Sequence, residues 1–424
     1  MKAYCGHIIY TPTSQAFEIL PKGYVVVNDK GIIQGVYASD KYPFGNEIEV
    51  VDLGNQLLIP AMNDLHVHAP QFANMGIAMD VPLLLWLNKY TFPEEAKFAD
   101  IEYARTIYTQ FVDELVKQGT MRAAVFATIH TPATLLLADL FHQKGIGAHI
   151  GLVAMDRNSP DNLCNSVDEA IEGTNQLLAH TKNYPLVNAI ITPRFVPSCS
   201  PQMLRALAQQ AKDRHLPIQS HLCETTNEIN WVMELEPEAL SYADVYHRYG
   251  LLTHDTLMAH CVYPSDIDME LLQKTGTIIV HCPTSNCNLA SGIAPIRRLL
   301  EAGIPVTLGS DVAAGHDLSM FQVMQSAIQM SKLNSAIHKR QVSALSLSEV
   351  FYMATKLGGS FFGKVGSFEV GYEFDALVID NDSPMHDSIY NSDTLYTRLE
   401  RFVYHGNVHQ IKMRFCQGKE ILIK

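Results

Sequence analysis

From residue 57 to residue 309 the chain repeats one pattern, a short apolar run followed by a longer stretch of helical character. The apolar runs fall at 57–65, 123–129, 150–155, 187–192, 217–222, 256–262, 277–281 and 305–309. Continuous apolar runs of this length suit strands buried on both faces of a parallel sheet. Between them, 101–118 is amphipathic and stops at Gly119, 133–144 stops at Gly145, and 267–274 is followed by Gly276. A glycine just past the last periodic residue is a helix-ending signal. Stretches 167–181, 201–215 and 295–302 read the same way. Eight such units predict an α/β fold, a (β/α)8 TIM-type barrel. A doubly wound open sheet is the alternative.

The two ends of the chain read differently. Residues 23–27 are rich in β-formers, Asn28-Asp29-Lys30-Gly31 is a turn signal, and 32–36 follows. Beyond residue 369 the chain returns to strand-like segments, 376–379 and 420–423. These segments predict a small β-sandwich-like domain made from both termini, 1–59 plus 366–424, beside a barrel of 60–365. A length of 424 residues suits one large and one smaller unit. The stretch 358–365 matches a phosphate-binding loop until its last position. There Val365 lacks the hydroxyl that magnesium needs, and a helical stretch rather than a strand precedes it. The glycines are read as helix caps.

Charge and composition narrow the partners. A net charge of −13 offers no basic surplus for a nucleic-acid backbone or an anionic membrane. No apolar run nears the length of a spanning helix, and residues 1–10 lack a signal-peptide core. A soluble cytoplasmic protein with a small-molecule substrate is the expectation. The eight cysteines include no CxxC pair and are read as free thiols.

Catalytic residues of such barrels lie at the C-terminal ends of the strands. His66 and His68 end the first run, and alternation along a strand puts both on one face. His221 ends the fifth run, with Glu224 three residues on; His260 lies in the sixth; Asp311 follows the eighth. A lone histidine at a strand end is ordinarily packed or hydrogen-bonded, and His281 and His316 are read so. Asp311 in Gly309-Ser310-Asp311 would, taken alone, equally suit a helix cap. Together, nitrogen and carboxylate donors converging from four strands suit one zinc-like divalent ion.

The segment Pro60-Ala61-Met62-Asn63-Asp64-Leu65-His66-Val67-His68, the later single histidines, Gly309-Ser310-Asp311 and the tail 366–380 resemble the amidohydrolase superfamily. Ala61, where that family usually has glycine, and Asn63 and Leu65 beside Asp64 depart from its pattern. The resemblance implies one metal held by His66, His68, His221 and Asp311, with His260 beside an activated water. Residues 186–197, around the fourth run, contain no lysine of the kind that bridges two metals in other members, which favours one metal. His68-Ala69-Pro70-Gln71, the stretch 80–93, Thr192-Pro193-Arg194-Phe195 and His221-Leu222-Cys223-Glu224-Thr225 resemble the guanine deaminase branch. That likeness implies hydrolysis of guanine to xanthine and ammonia, in a homodimer. Gln71, Arg194 and Phe195 would bind the base, Trp86 and Leu87 would line its pocket, and Glu224 would move protons. An arginine suits the O6 and N7 acceptors of a neutral base. A structural ion pair for Arg194 and plain packing for Trp86 are the competing readings. A deaminase of another purine, a pterin or an adenosine-like compound is the near alternative. A catalytically inactive barrel used for binding or assembly is the distant one.

Overall fold

The computed structural model describes residues 1–45, 47–380 and 394–423. Four parallel strands form one arc: Met62–His68, Thr120–Phe126, Gly147–Gly151 and Val187–Ala189. Four more form a second: Ile218–Leu222, Thr256–His260, Ile278–His281 and Val306–Leu308. At one junction the Asp311 amide donates to the His66 carbonyl at 2.8 Å, and the His68 amide donates to the Val312 carbonyl at 3.0 Å. At the other, Ile191 N donates to Pro217 O and Gln219 N to Ile191 O, both at 2.9 Å. With helices between successive strands, this is an α/β fold of the TIM type.

The helices follow their sequence signals. Ile101–Gln118 buries Ala104, Tyr108, Phe111, Val112, Leu115 and Val116, the stripe of an amphipathic helix. The Asp100 carboxylate caps it by accepting from the amides of Glu102 and Tyr103, and Gly119 ends it at φ 89°. Thr131–Lys144 ends at Gly145 and Asp266–Thr275 at Gly276 in the same left-handed conformation.

Both chain ends enter a single seven-stranded sheet. Its order is Lys419–Glu420, Ile411–Cys416, Ala376–Ile379, Glu49–Pro60, Lys2–Thr13, Ala16–Val27 and Ile33–Tyr37. Three sequence readings need correction. The apolar run 57–65 is two strands: 57–60 pairs with Ala376–Ile379 in the terminal sheet, and the barrel strand starts at Met62. Both halves are buried, so hydropathy shows no break between them. The tail is not all strand, because Leu395–His405 is a helix that buries Leu399, Phe402 and Val403. Residues 381–393 of that tail lie outside the described residues. Gly358 and Gly359 are not helix caps but continue a helical segment. A Cβ on Gly359 would stand 2.3 Å from the Val365 carbonyl oxygen, so they serve close approach instead.

The terminal sheet is tied to the barrel by buried charge. Arg122, on the second barrel strand, donates from Nε to Asp375 Oδ2 at 2.6 Å and from one terminal nitrogen to Glu373 Oε2 at 2.6 Å. Asp375 also accepts the Gln417 amide at 2.6 Å. Arg122→Ala strands the Asp375 carboxylate in the interior. It is expected to cost roughly 3–5 kcal/mol in urea unfolding. A loss below about 1 kcal/mol would show that the pair does not couple the two sheets.

Candidate active site

Three of the strands that carry site residues are followed by a turn through left-handed backbone at residues other than glycine. Cys223 has φ 51°, His260 72°, Cys261 51° and Asp311 50°. Such residues persist only where surrounding packing holds them, and they concentrate at functional sites. These turns bring His66, His68, His221, His260 and Asp311 to one end of the strands.

The donor atoms there are close together. His66 Nε2 lies 3.2 Å and His68 Nε2 3.4 Å from Asp311 Oδ1. His221 Nε2 lies 3.3 Å from His68 Nε2, and His260 Nε2 lies 3.8 Å from Asp311 Oδ2. His66, His68 and His221 offer one set of atoms that can share an ion; His66, His260 and Asp311 offer an overlapping one. The far ring nitrogens are already committed. His221 Nδ1 donates to the Arg194 carbonyl at 2.6 Å, and His260 Nδ1 to Asn286 Oδ1 at 3.0 Å. Each Nε2 is thereby left as a lone pair facing the cluster. Burial holds His68 down to about 4 and His221 well below the usual imidazole value, so both are neutral ligand forms. Burial pushes Asp311 up, but His66 and His68 outweigh it and hold the carboxyl well below its usual range. Nε2 of His66 and Nε2 of His260 are buried with no hydrogen-bond partner among the described residues. Orphaned nitrogens in a buried nitrogen and carboxylate set fit a divalent metal better than a hydrogen-bonded core. His281 and His316 stand outside both sets.

A cavity opens onto this cluster. His68, Gln71, Trp86, Leu87, Arg194, Phe195, His221, Glu224, His260 and Asp311 all line it, so the sequence-derived residues converge, with His66 behind them. Trp86 ends the short helix Leu83–Trp86 and is held by donation from its indole nitrogen to the Ile77 carbonyl at 3.0 Å. The Glu224 carboxylate lies 3.6 Å from His260 Nε2 and accepts the Ser291 hydroxyl at 3.0 Å. Burial, then the charge of Asp311, pushes Glu224 up to about 8 against the Ser291 hydrogen bond. A carboxyl so raised carries its proton at neutral pH.

Four supporting residues escaped the sequence reading. Glu95 is buried and forms a two-point ion pair with Arg194, at 2.5 and 2.9 Å. Arg194 is therefore an ion-pair partner as well as a cavity wall. Glu95 lies just past the resembling stretch 80–93 and reads as one more helix acid. Glu228 accepts the Glu224 amide at 2.9 Å; its spacing from Thr225 reads only as a helix capping box, which it also forms. Ser291 and Asn286 carry no sequence signal, since their partners lie on other strands' loops.

Residues 57–421 match the amidohydrolase family. The chain belongs to that family. A guanine deaminase of Dictyostelium discoideum is 36% identical, with 99% of this chain and 98% of that protein covered. One from Escherichia coli is 34% identical over 91% of this chain and 87% of its own. A solved guanine deaminase from C. acetobutylicum with guanine bound in its active site superposes with a TM-score of 0.95 at 45% identity. It covers 99% of this chain and 100% of its own. Amidohydrolase membership accords with the ligand set, and strands Val187–Ala189 and Thr192–Pro193 hold no lysine to bridge a second ion. Elemental analysis of purified protein is expected to find about one divalent ion per chain, and none after His66→Ala. Two tightly held ions would show the single-site reading to be wrong.

Proposed function

We propose that this amidohydrolase converts guanine and water to xanthine and ammonia. The observation that carries the reading is the composition of one cavity. Its floor is the histidine and aspartate cluster, one wall holds a protonated carboxyl, and another presents Arg194 and Gln71. The guanine deaminase relatives support the choice of base. We infer that the ligands are His66, His68, His221 and Asp311 and that the ion is zinc. Bound there, it would supply Lewis-acid activation, bringing a water's pKa toward neutrality.

The remaining chemistry falls to side chains. Arg194 and Gln71 orient the base, Phe195 and Trp86 bound its faces, and Leu87 closes the apolar rim. Asp311 accepts the proton of the attacking water while His260 orients the incoming oxygen. Glu224 protonates ring nitrogen N3, which makes C2 electrophilic; it then takes the proton of the hydroxyl added at C2 and delivers it to the amine as the C2–N bond breaks, and the proton held by Asp311 recharges it. Its environment suits a group used twice: raised enough to hold a proton, near enough to neutral to recover one. In the same reading, the backbone bonds at both junctions close the two arcs into one eight-stranded barrel. The described residues of 1–59 and 366–424 form a unit built on the seven-stranded sheet, with the helix Leu395–His405, against 60–365.

Ammonia release from guanine tests the reaction directly, and Glu224→Gln tests the proton path. Glutamine keeps size and much of the hydrogen bonding but cannot transfer a proton. The variant is expected to retain its metal and bind guanine, with turnover at least about a hundredfold slower. Near-normal turnover would mean another group carries the protons. Metal loss would make Glu224 part of the ligand shell.

A further inference from the structure

Arg194 and Gln71 do not meet the cavity independently. Glu95 lies behind them, 2% exposed, and serves both. Its Oε2 accepts one terminal guanidinium nitrogen of Arg194 at 2.5 Å. Its Oε1 accepts the other, and also the Gln71 amide nitrogen, each at 2.9 Å. The Arg194 guanidinium lies 5.1 Å from the Phe92 ring centre, which steadies its plane.

The chemistry of these bonds decides what the wall can show a ligand. An ionised carboxylate only accepts, so Gln71 must turn its NH2 toward Glu95. Its carbonyl oxygen is then taken by the Ala313 amide at 3.3 Å. Gln71 keeps the second hydrogen of that NH2 and, on the carbonyl oxygen already engaged by Ala313, one further lone pair. What Arg194 has left are the hydrogens not aimed at Glu95. The wall is therefore dominated by donors, Arg194 having no acceptor and Gln71 its NH2 fixed by Glu95 and its carbonyl engaged by Ala313, and the paired charges of Arg194 and Glu95 offset each other. Such a wall matches a neutral ring with adjacent acceptors, the O6 and N7 edge of a 6-oxopurine. It meets the amino group of a 6-aminopurine chiefly with donors and gives a phosphate no net positive charge.

We infer that Glu95 is a positioning residue that sets base specificity by holding Arg194 and Gln71 as donors. The inference rests on the proposed deamination for its substrate, and its test separates the two. Glu95→Gln replaces an acceptor-only group with one that also donates. At least one bond to Arg194 is lost, and in one of its two orientations the new amide forces Gln71 to turn its carbonyl toward Glu95 and the cavity. Guanine and 2,6-diaminopurine carry the same departing 2-amino group and differ at position 6 and in the hydrogen on N1, so the change in their kcat/KM ratio between wild type and variant reads the effect. In the metal-loaded variant the KM for guanine is expected to rise about tenfold, with kcat within about threefold. Preference for guanine over 2,6-diaminopurine is expected to fall about tenfold. Glu95→Asp keeps an acceptor-only carboxylate at shorter reach, so KM should rise while the preference stays.

Unchanged KM and preference in Glu95→Gln would overturn the inference. So would a large fall in kcat at constant KM, or an equal loss of preference in both variants. If Glu95→Gln fails to fold, Glu95→Asp decides by the same criterion, since an unchanged KM removes the positioning role. If the wild-type protein releases no ammonia from guanine, the functional reading fails and equilibrium binding still tests the wall. The metal-loaded wild type should then bind hypoxanthine more tightly than adenine, and Glu95→Gln should narrow that gap. Equal binding of the two bases by the wild type would overturn the inference itself.

Discussion

The site depends on the backbone bonds that join the strand Met62–His68 to the segment following the strand Val306–Leu308. The Asp311 amide donates to the His66 carbonyl, and the His68 amide to Val312, so donors far apart in sequence share one hydrogen-bonded ladder. Asp64 locks the seam from within. Its carboxylate accepts the Ser310 hydroxyl at 2.5 Å, the Ser310 amide at 3.0 Å and the His66 amide at 3.2 Å. Burial raises Asp64 to about 6 against those hydrogen bonds. A buried carboxylate with three donors is costly to disturb, which makes the spacing of His66, His68 and Asp311 a rigid property of the scaffold.

Above that seam the protein sorts charge by position. His68 and His221, kept neutral by burial, face a carboxylate held low by its neighbours, while burial and then the charge of Asp311 push Glu224 the other way. Two acids in one cavity thus take opposite protonation states, the arrangement that acid and base roles need. The second buried acid behind Glu224, Glu228, is raised to about 7, chiefly by burial. It nonetheless accepts the Glu224 amide and the Tyr242 hydroxyl at 2.8 Å, so it holds the loop that carries the proton-transfer group. Opposite this acid side, Arg194 and Glu95 cancel each other's charge, so the wall orients a ring by hydrogen bonds alone.

Much of the scaffold was legible because its signals are local. Helix Ile101–Gln118 has the bounds its periodicity and Gly119 imply, and Val167–Thr181 likewise. Strand ends pointed to His66, His68, His221, His260 and Asp311 because a fold of this type collects those ends on one side, where these residues cluster. The readings that failed were those where burial hides a boundary. The run 57–65 is apolar throughout because one sheet buries its first part and another its second. The helix Leu395–His405 differs: its buried Leu399, Phe402 and Val403 have helical spacing, but strand-like segments on the same tail mask it.

The sequence by itself determined the repeating α/β pattern, the ends of the principal helices, and which histidines and carboxylates stand where strands end. Those properties rest on short-range hydrophobic periodicity, capping and spacing. Only the tertiary structure decided what the polar side chains do to one another. Glu95 meets Arg194 across 99 positions, Ser291 meets Glu224 across 67, and Asp64 meets Ser310 across 246. A buried acid's partner is set by which loops the barrel brings together, and no local pattern records that. The left-handed turns at His260 and Asp311 belong to the same class, because neither is a residue type that prefers that conformation strongly enough to announce it.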